Sequence, residues 1–389
     1  MLNFEFCSPT RFLFGKETEG KAGEMVRKFG GTKVLIHYGG GSALRSGLLD
    51  RVKASLAEAD LEWVELGGVQ PNPRSGLVYE GIALCRKEAV DFILAVGGGS
   101  VIDSAKAIAA GTLLDGDFWD YWKVKKPVPA ALPIGTVLTI PAAGSEASHN
   151  SVITHEETLV KRGTTGDCLR PKFSILNPEL TYTLPQWQTA SGASDIIAHV
   201  LERYFTNTED VEVTDRLCEA LLLTMVHETP RVIADPECYG ARANIMWAGA
   251  LAHNNVVGVG RDQDWATHAI EHELSALYDV THGAGLAVLF PAWMEKALPH
   301  NPKRFADMAT RICGIANTGD DTETGRLGIR AWRDFFTSIG MPDNLRALGV
   351  REEDFEYMAN RLLLKADGTL GGFVKLTPAD VVEIYRSCY

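Results

Sequence analysis

The sequence predicts an α/β domain followed by an all-helical one. Two buried strands, KVLIHY (33–38) and FILAV (92–96), each run into Gly-Gly-Gly-Ser and then a helical stretch. Strand, turn and helix keep alternating up to Leu184–Pro185, which argues for a mostly parallel sheet with helices on both faces. Beyond that point long helical periods dominate. A chain of 389 residues has room for such a division, and its boundary is expected at 184/185.

The elements follow in order. Residues 3–14 alternate around Ser8–Pro9 and predict a β-hairpin built on Phe4, Phe6, Phe12 and Phe14. A helix is expected from Gly20 to Phe29, then the strand 33–38, then a helix from Ser46 to Ala59. EWVEL (62–66) is the next strand, and the loop Gln70–Pro71–Asn72–Pro73 leads to a helix over 75–89. FILAV feeds the helix VIDSAKAIAAG, and TVLTI (136–140) enters PAAGSE (141–146). SVITH and KFSIL are strand-like pieces on either side of Lys161. In the second half, helices are expected at Thr214–Thr229, Ala241–Asn254, Pro302–Ala316 and Glu323–Ile339.

Composition excludes several classes. With 46% hydrophobic and 23% charged residues this is an ordinary globular chain. A formal charge of −12 disfavours nucleic acid and anionic membranes as partners. Seven scattered cysteines without C-x-x-C argue against a disulfide framework and fit a reducing cytoplasm. The start MLNFEFCSPTRF has no signal-peptide pattern, and no apolar run is long enough to span a membrane.

The second half concentrates the chemistry. WATHAIEHELSALYDVTHGAGLA (265–287) contains His268, His272 and His282. His268 and His272 are four apart and share a helix face. A break at Asp279–Thr281 allows His282 to fold back. Upstream, SGASDIIAHVLERYF holds Asp195 and His199, again four apart. Asp195, His199, His268 and His282 can thus meet at one point, a donor set for a divalent first-row metal, iron or zinc. A single histidine beside an apolar face is more often an ordinary core residue, and the pairing is what favours metal.

The glycine turns Gly39–Gly40–Gly41–Ser42 and Gly97–Gly98–Gly99–Ser100 sit between buried strands and helices. Such turns let backbone N–H groups and a helix N-terminus meet a phosphate. Neither spells G-x-G-x-x-G. The first follows Tyr38, with no carboxylate to bond adenosine ribose hydroxyls, so it favours NADP(H) over NAD(H). Arg45 lies one turn further on.

These motifs resemble the iron-dependent (group III) alcohol dehydrogenases, over nearly the whole chain. D-x-x-x-H at Asp195–His199, H-x-x-x-H followed by H-G, and GGGS-x-x-D ending at Asp103 carry the likeness. LIHYGGGS, LAVGGGSVIDSAK, LTIPAAGSE and QDWATHAIEHEL point to the NADPH-dependent butanol dehydrogenase and aldehyde reductase branch. The resemblance implies a dehydroquinate synthase-like fold: a Rossmann-like α/β dinucleotide domain (1–184) and an all-helical metal-binding domain (185–389). It implies metal ligation by Asp195, His199, His268 and His282, with His272 beside the metal without ligating. His272 is then a proton-route residue or a packing one. Gly97, Gly98, Gly99, Ser100 and Asp103 are implied to hold the pyrophosphate, although Asp103 also reads as a plain first-turn carboxylate. Thr139, Ser145, Lys161 and Leu180 are implied to line the cofactor, and Asn72 is placed with them. The implied activity is hydride transfer between NADPH and short-chain aldehydes such as butanal, in a homodimer acting on small molecules.

Other readings compete. His268–His272 also spells H-x-x-E-H, a zinc peptidase motif with Glu271 as general base. A cyclising NAD-dependent lyase of the dehydroquinate synthase type keeps the fold and changes the reaction. A silent metal-stabilised binding protein has no feature in its favour.

Overall fold

A computed structural model describes all residues, Met1–Tyr389. In chain order the elements are β1 (Arg11–Phe14), α1 (Ala22–Lys28), β2 (Lys33–Gly39), α2 (Ser42–Arg45), α3 (Leu48–Glu58), β3 (Glu62–Val69), α4 (Ser75–Glu88) and β4 (Phe92–Gly97). Then come α5 (Gly99–Leu113), α6 (Trp119–Trp122), β5 (Ile134–Leu138), β6 (Asn150–His155), β7 (Val160–Thr165) and β8 (Phe173–Leu176). The helices α7 (Gln186–Tyr204), α8 (Glu212–Ala234), α9 (Tyr239–His253), α10 (Ala266–Tyr278) and α11 (His282–Ala297) follow. The last are α12 (Pro302–Arg311), α13 (Asp321–Ser338), α14 (Phe355–Asn360) and α15 (Pro378–Ser387).

The chain forms two compact units, Cys7–Leu184 with Glu237–Asn254, and Met1–Phe6 with Pro185–Pro236 and Asn255–Tyr389. The division is therefore not two contiguous stretches. The chain does pass between units at Leu184–Pro185, but two segments cross over. One contains α9, whose Trp247 packs edge-on against Phe12 and Phe14, with ring centroids 5.3 and 6.1 Å apart. Its Met246 joins the apolar core between the sheet and α4 and α5. The other is the N-terminus, where Leu2 N–H donates to Gly260 O.

In the first unit the main sheet has the order β1-β8-β5-β4-β2-β3, and every pairing is parallel. Its central strand β4 is buried at every residue, as a strand covered by helices on both faces must be. The expected N-terminal hairpin does not form. Only Arg11–Phe14 is a strand, and it runs parallel to β8 with Arg11 beside Phe173. The edge of β8 offers a complete ladder, taken up by Arg11 N–H to Lys172 O and Gly15 N–H to Leu176 O. Pro9 has no N–H to give a competing hairpin.

Smaller differences have local causes. The helix expected over 46–59 starts at Leu48, because Gly47 takes a left-handed φ of 68° and separates it from the short α2. Lys161 lies on a strand: β7 pairs antiparallel with β6, Lys161 opposite Thr154. No helix is long and apolar enough to cross a membrane, and no disulfide links the cysteines.

Candidate metal centre and nucleotide loops

In the helical unit, α7, α10 and α11 bring four side chains to one point. Asp195 and His199 lie one turn apart on α7, both buried. α10 ends where Asp279 adopts φ 54°, and α11 starts three residues later with His282. Asp195 Oδ1 is 3.3 Å from His199 Nε2 and 3.8 Å from Nε2 of both His268 and His282. Ring centroids are 4.5 Å apart for His199 and His268, and 5.4 Å for His268 and His282.

This arrangement fits a divalent cation. Asp195 Oδ1 and His268 Nε2 are buried with no hydrogen-bond partner, which is costly unless something bridges them. Ligating atoms of Asp195, His268 and His282 all lie within 4.8 Å of one another. Burial opposes charge on His268, but the neighbouring carboxylates of Asp195 and Glu202 outweigh it and raise its pKa to about 9. An imidazole that draws a proton so strongly also suits a metal ion in the proton's place.

Two further residues complete the centre: Glu202, not anticipated from the sequence, and Glu271, weighed there only as a peptidase base. Glu202 accepts from Nδ1 of His268 at 2.8 Å, and Glu271 accepts from Nδ1 of His282. Each is three residues after a site histidine, Glu202 after His199 and Glu271 after His268. That spacing was the available signal. Glu271 is wholly buried and also accepts from Ser275 Oγ, so it is no general base for an attacking water. The peptidase reading of H-x-x-E-H fails on this point. His272 is half-buried beside His282, with ring centroids 5.5 Å apart, and its ring groups with Glu271 and His282 rather than with Asp195.

In the α/β unit the two glycine turns lie side by side. Val101 is 3.7 Å from a Cβ built on Gly39 and 2.4 Å from one on Gly97. Gly98 and Gly99 approach Ile140 and Ala143 so closely that a Cβ would sit 3.1 Å from each. Gly97–Gly99 thus also serve packing against the turn after β5, where Thr139 N–H donates to Gly97 O. Ser100 is in the first turn of α5. In the first turn Gly41 has φ 125°, Gly40 is open, Ser42 is exposed, and Arg45 Nη1 is 3.0 Å from a Cβ built on Gly41.

Asp103, the fifth residue of α5, is more than a first-turn carboxylate. Its carboxylate accepts from Ser145 Oγ and from Val152 N–H, tying α5 to the loop before β6. Lys106, one turn on and overlooked in the sequence, is wholly buried and donates to the carbonyls of Ser145, Ser148 and Asn150. Burial brings its pKa down to about 8 against the pull of Asp103 and Glu146. Lys161 donates to Asn72 Oδ1 at 2.9 Å, both side chains buried, so these two are brought together. Leu180 sits in a short 3₁₀ turn after β8, packed on the core beneath the sheet.

A parallel sheet with glycine turns at its strand ends, together with a one-carboxylate, three-imidazole centre, defines a metal-dependent nicotinamide oxidoreductase. Residues 9–178 match the iron-containing alcohol dehydrogenase family, and residues 189–389 match the C-terminal region of the Fe-containing alcohol dehydrogenase family. The chain is 42% identical to NADH-dependent butanol dehydrogenase A of Clostridium acetobutylicum, covering 100% of both chains. It is 39% identical to the NADPH-dependent aldehyde reductase YqhD of Escherichia coli, over 90% of each. The crystal structure of NADH-dependent butanol dehydrogenase A from Thermotoga maritima superposes with a TM-score of 0.96, at 42% identity over 100% of this chain and 99% of that one. The chain belongs to the iron-containing alcohol dehydrogenase family and is an oxidoreductase of that class, with a nicotinamide cofactor and an iron-type metal.

Proposed function

We propose that this enzyme reduces short-chain aldehydes such as butanal with NADPH, reversibly, using Asp195, His199, His268 and His282 to hold a divalent metal. Iron is the metal proposed first, and zinc is compatible with the same donors. The observation that carries the reading is the convergence of four ligating side chains around Asp195 Oδ1. When bound, NADPH supplies the hydride for the carbonyl carbon, and the divalent ion supplies Lewis-acid polarisation of the carbonyl oxygen. The chain supplies position. Asp195 would contribute the charge, and the three imidazoles would complete the donor set. His272, next to His282, is proposed to pass the proton that completes the alcohol.

The cofactor preference rests on the loop after β2. Tyr38–Ser42 has no carboxylate, and Arg45 lies over Gly41. A 2′-phosphate suits such a loop, whereas free ribose hydroxyls lack their usual acceptor. Relatives bear both NADH- and NADPH-dependent names, so this loop decides the proposal. Gly39–Ser42 are proposed to hold the adenosine phosphate and Gly97–Ser100 the pyrophosphate. Thr139, Ser145, Lys161, Asn72 and Leu180 shape the cofactor site around them. Asp103 acts through Ser145. The enzyme is proposed to work in the cytoplasm as a homodimer, for which the unpaired edge of β1 offers a pairing surface.

An NADPH-oxidation assay over an aldehyde panel, with metal analysis of the same sample, tests the reading. Butanal-dependent oxidation that a chelator abolishes is expected. Chelator-insensitive turnover, or none with any aldehyde, rejects it.

A further inference from the structure

Each of α7 and α10 carries a carboxylate that grips a histidine of another helix of the centre, α7 holding α10 and α10 holding α11. Glu202, on α7, accepts from Nδ1 of His268 on α10 at 2.8 Å. It also accepts the backbone N–H of His268 at 2.9 Å and of Trp265 at 2.7 Å. It therefore caps α10 from outside, where Trp265 at the N-cap makes no side-chain cap bond and is left-handed, φ 65°. Glu271, on α10, accepts from Nδ1 of His282, the first residue of α11. Gly285 leaves room for it, since a Cβ there would lie 2.8 Å from Glu271 Cγ. Glu202 and Glu271 are only 1% and 0% exposed. Buried carboxylates persist only when fully engaged, and these two are engaged by the rings and helix ends of the centre.

We infer that Glu202 and Glu271 are positioning residues, forming a relay that orients the histidines of the metal centre helix by helix. A neutral imidazole has one N–H and one lone pair. A carboxylate on Nδ1 holds the proton there and leaves the Nε2 lone pair free. In both rings that Nε2 stands 3.8 Å from Asp195 Oδ1. Glu202 on α7 thus sets the ring and start of α10, and Glu271 on α10 sets the first residue of α11. The relay rests on the ligand assignment proposed above.

The test measures Co2+ affinity of the full-length protein by chelator competition, with its visible absorption spectrum, for wild type, Glu202→Gln, Glu271→Gln and His282→Ala. Glutamine keeps the shape and one acceptor oxygen but loses the charge. Each glutamine variant should bind Co2+ about 10- to 100-fold more weakly, with an altered spectrum. His282→Ala should lose more. Wild-type affinity and spectrum in both glutamine variants, with His282→Ala impaired, overturn the relay and leave the ligand set standing. Wild-type affinity in His282→Ala overturns the ligand set and the relay together. Histidine 15N NMR of the zinc-loaded wild type needs no variant to fold: His268 and His282 should carry their proton on Nδ1. A proton on Nε2 of either ring overturns the ligand set and the relay together.

Discussion

The first residue after His282 rests directly on the helix of Asp195. A Cβ built on Gly283 would lie 1.9 Å from the carbonyl oxygen of Ser191, four residues before Asp195. Backbone meets backbone here, so no side-chain rotation relieves the contact. This approach is what brings His282 to Asp195.

Gly283→Ala should therefore push the start of α11 away from α7. Overpacking of this kind costs about 1–3 kcal/mol. We expect a lower Tm and a loss of bound metal larger than the loss of helix content. The check is metal content and circular dichroism on one sample. Unchanged metal content would show that α11 tolerates the displacement.

A second expectation concerns pH and His37. This ring is wholly buried on β2, with Nδ1 at 2.8 Å from Leu66 O and Nε2 at 2.9 Å from Ser104 Oγ. Burial lowers its pKa from 6.5 to about 4. The folded state therefore holds it neutral where the unfolded chain is protonated. Its contribution is fully present above pH 6.5 and is lost as pH falls toward 4. That gap corresponds to roughly 3 kcal/mol at most. Urea midpoints of metal-free wild type and His37→Gln, compared at neutral and acid pH, isolate the term. The wild type should lose more stability on acidification than the variant; equal losses refute the assignment.

A third concerns Gly39. A Cβ there meets Val69 O at 3.6 Å and Val101 Cγ2 at 3.7 Å, ordinary contacts that leave space for a side chain. Gly39→Asp should place a carboxylate beside the adenosine ribose. Losing a charge-assisted phosphate contact and gaining repulsion should cost NADPH on the order of 2–3 kcal/mol, about a hundredfold in affinity. NADH should weaken less or improve. kcat/KM with both cofactors, for wild type, Gly39→Asp and Arg45→Ala, decides the point. A wild type that already prefers NADH removes the NADPH proposal.

Much of this was legible from periodicity alone. The strands at 33–38 and 92–96 and the i,i+4 pairs Asp195/His199 and His268/His272 are local patterns, and local patterns fix helices and buried strands well. What escaped depends on partners distant in sequence. Phe12 and Phe14 alternate equally well for a hairpin or for an edge strand beside β8, and only the free edge of β8 decides. The helix α9 reads like its helical neighbours, but Trp247 and Met246 choose the sheet. The clamp made by Asp103 escaped because its partners Ser145 and Val152 lie more than forty residues on. Glu202 was hidden, and Glu271 was weighed only as a base, because an acid beside a histidine is common on any helix surface.

The most direct test of the account is the metal-to-protein ratio of Asp195→Ala, His199→Ala, His268→Ala, His282→Ala and His272→Ala, purified alike. The first four should each lose most of the metal and nearly all butanal reduction. His272→Ala should keep its metal and lose only part of the rate. Metal lost from His272→Ala but retained in His282→Ala would contradict the centre described here.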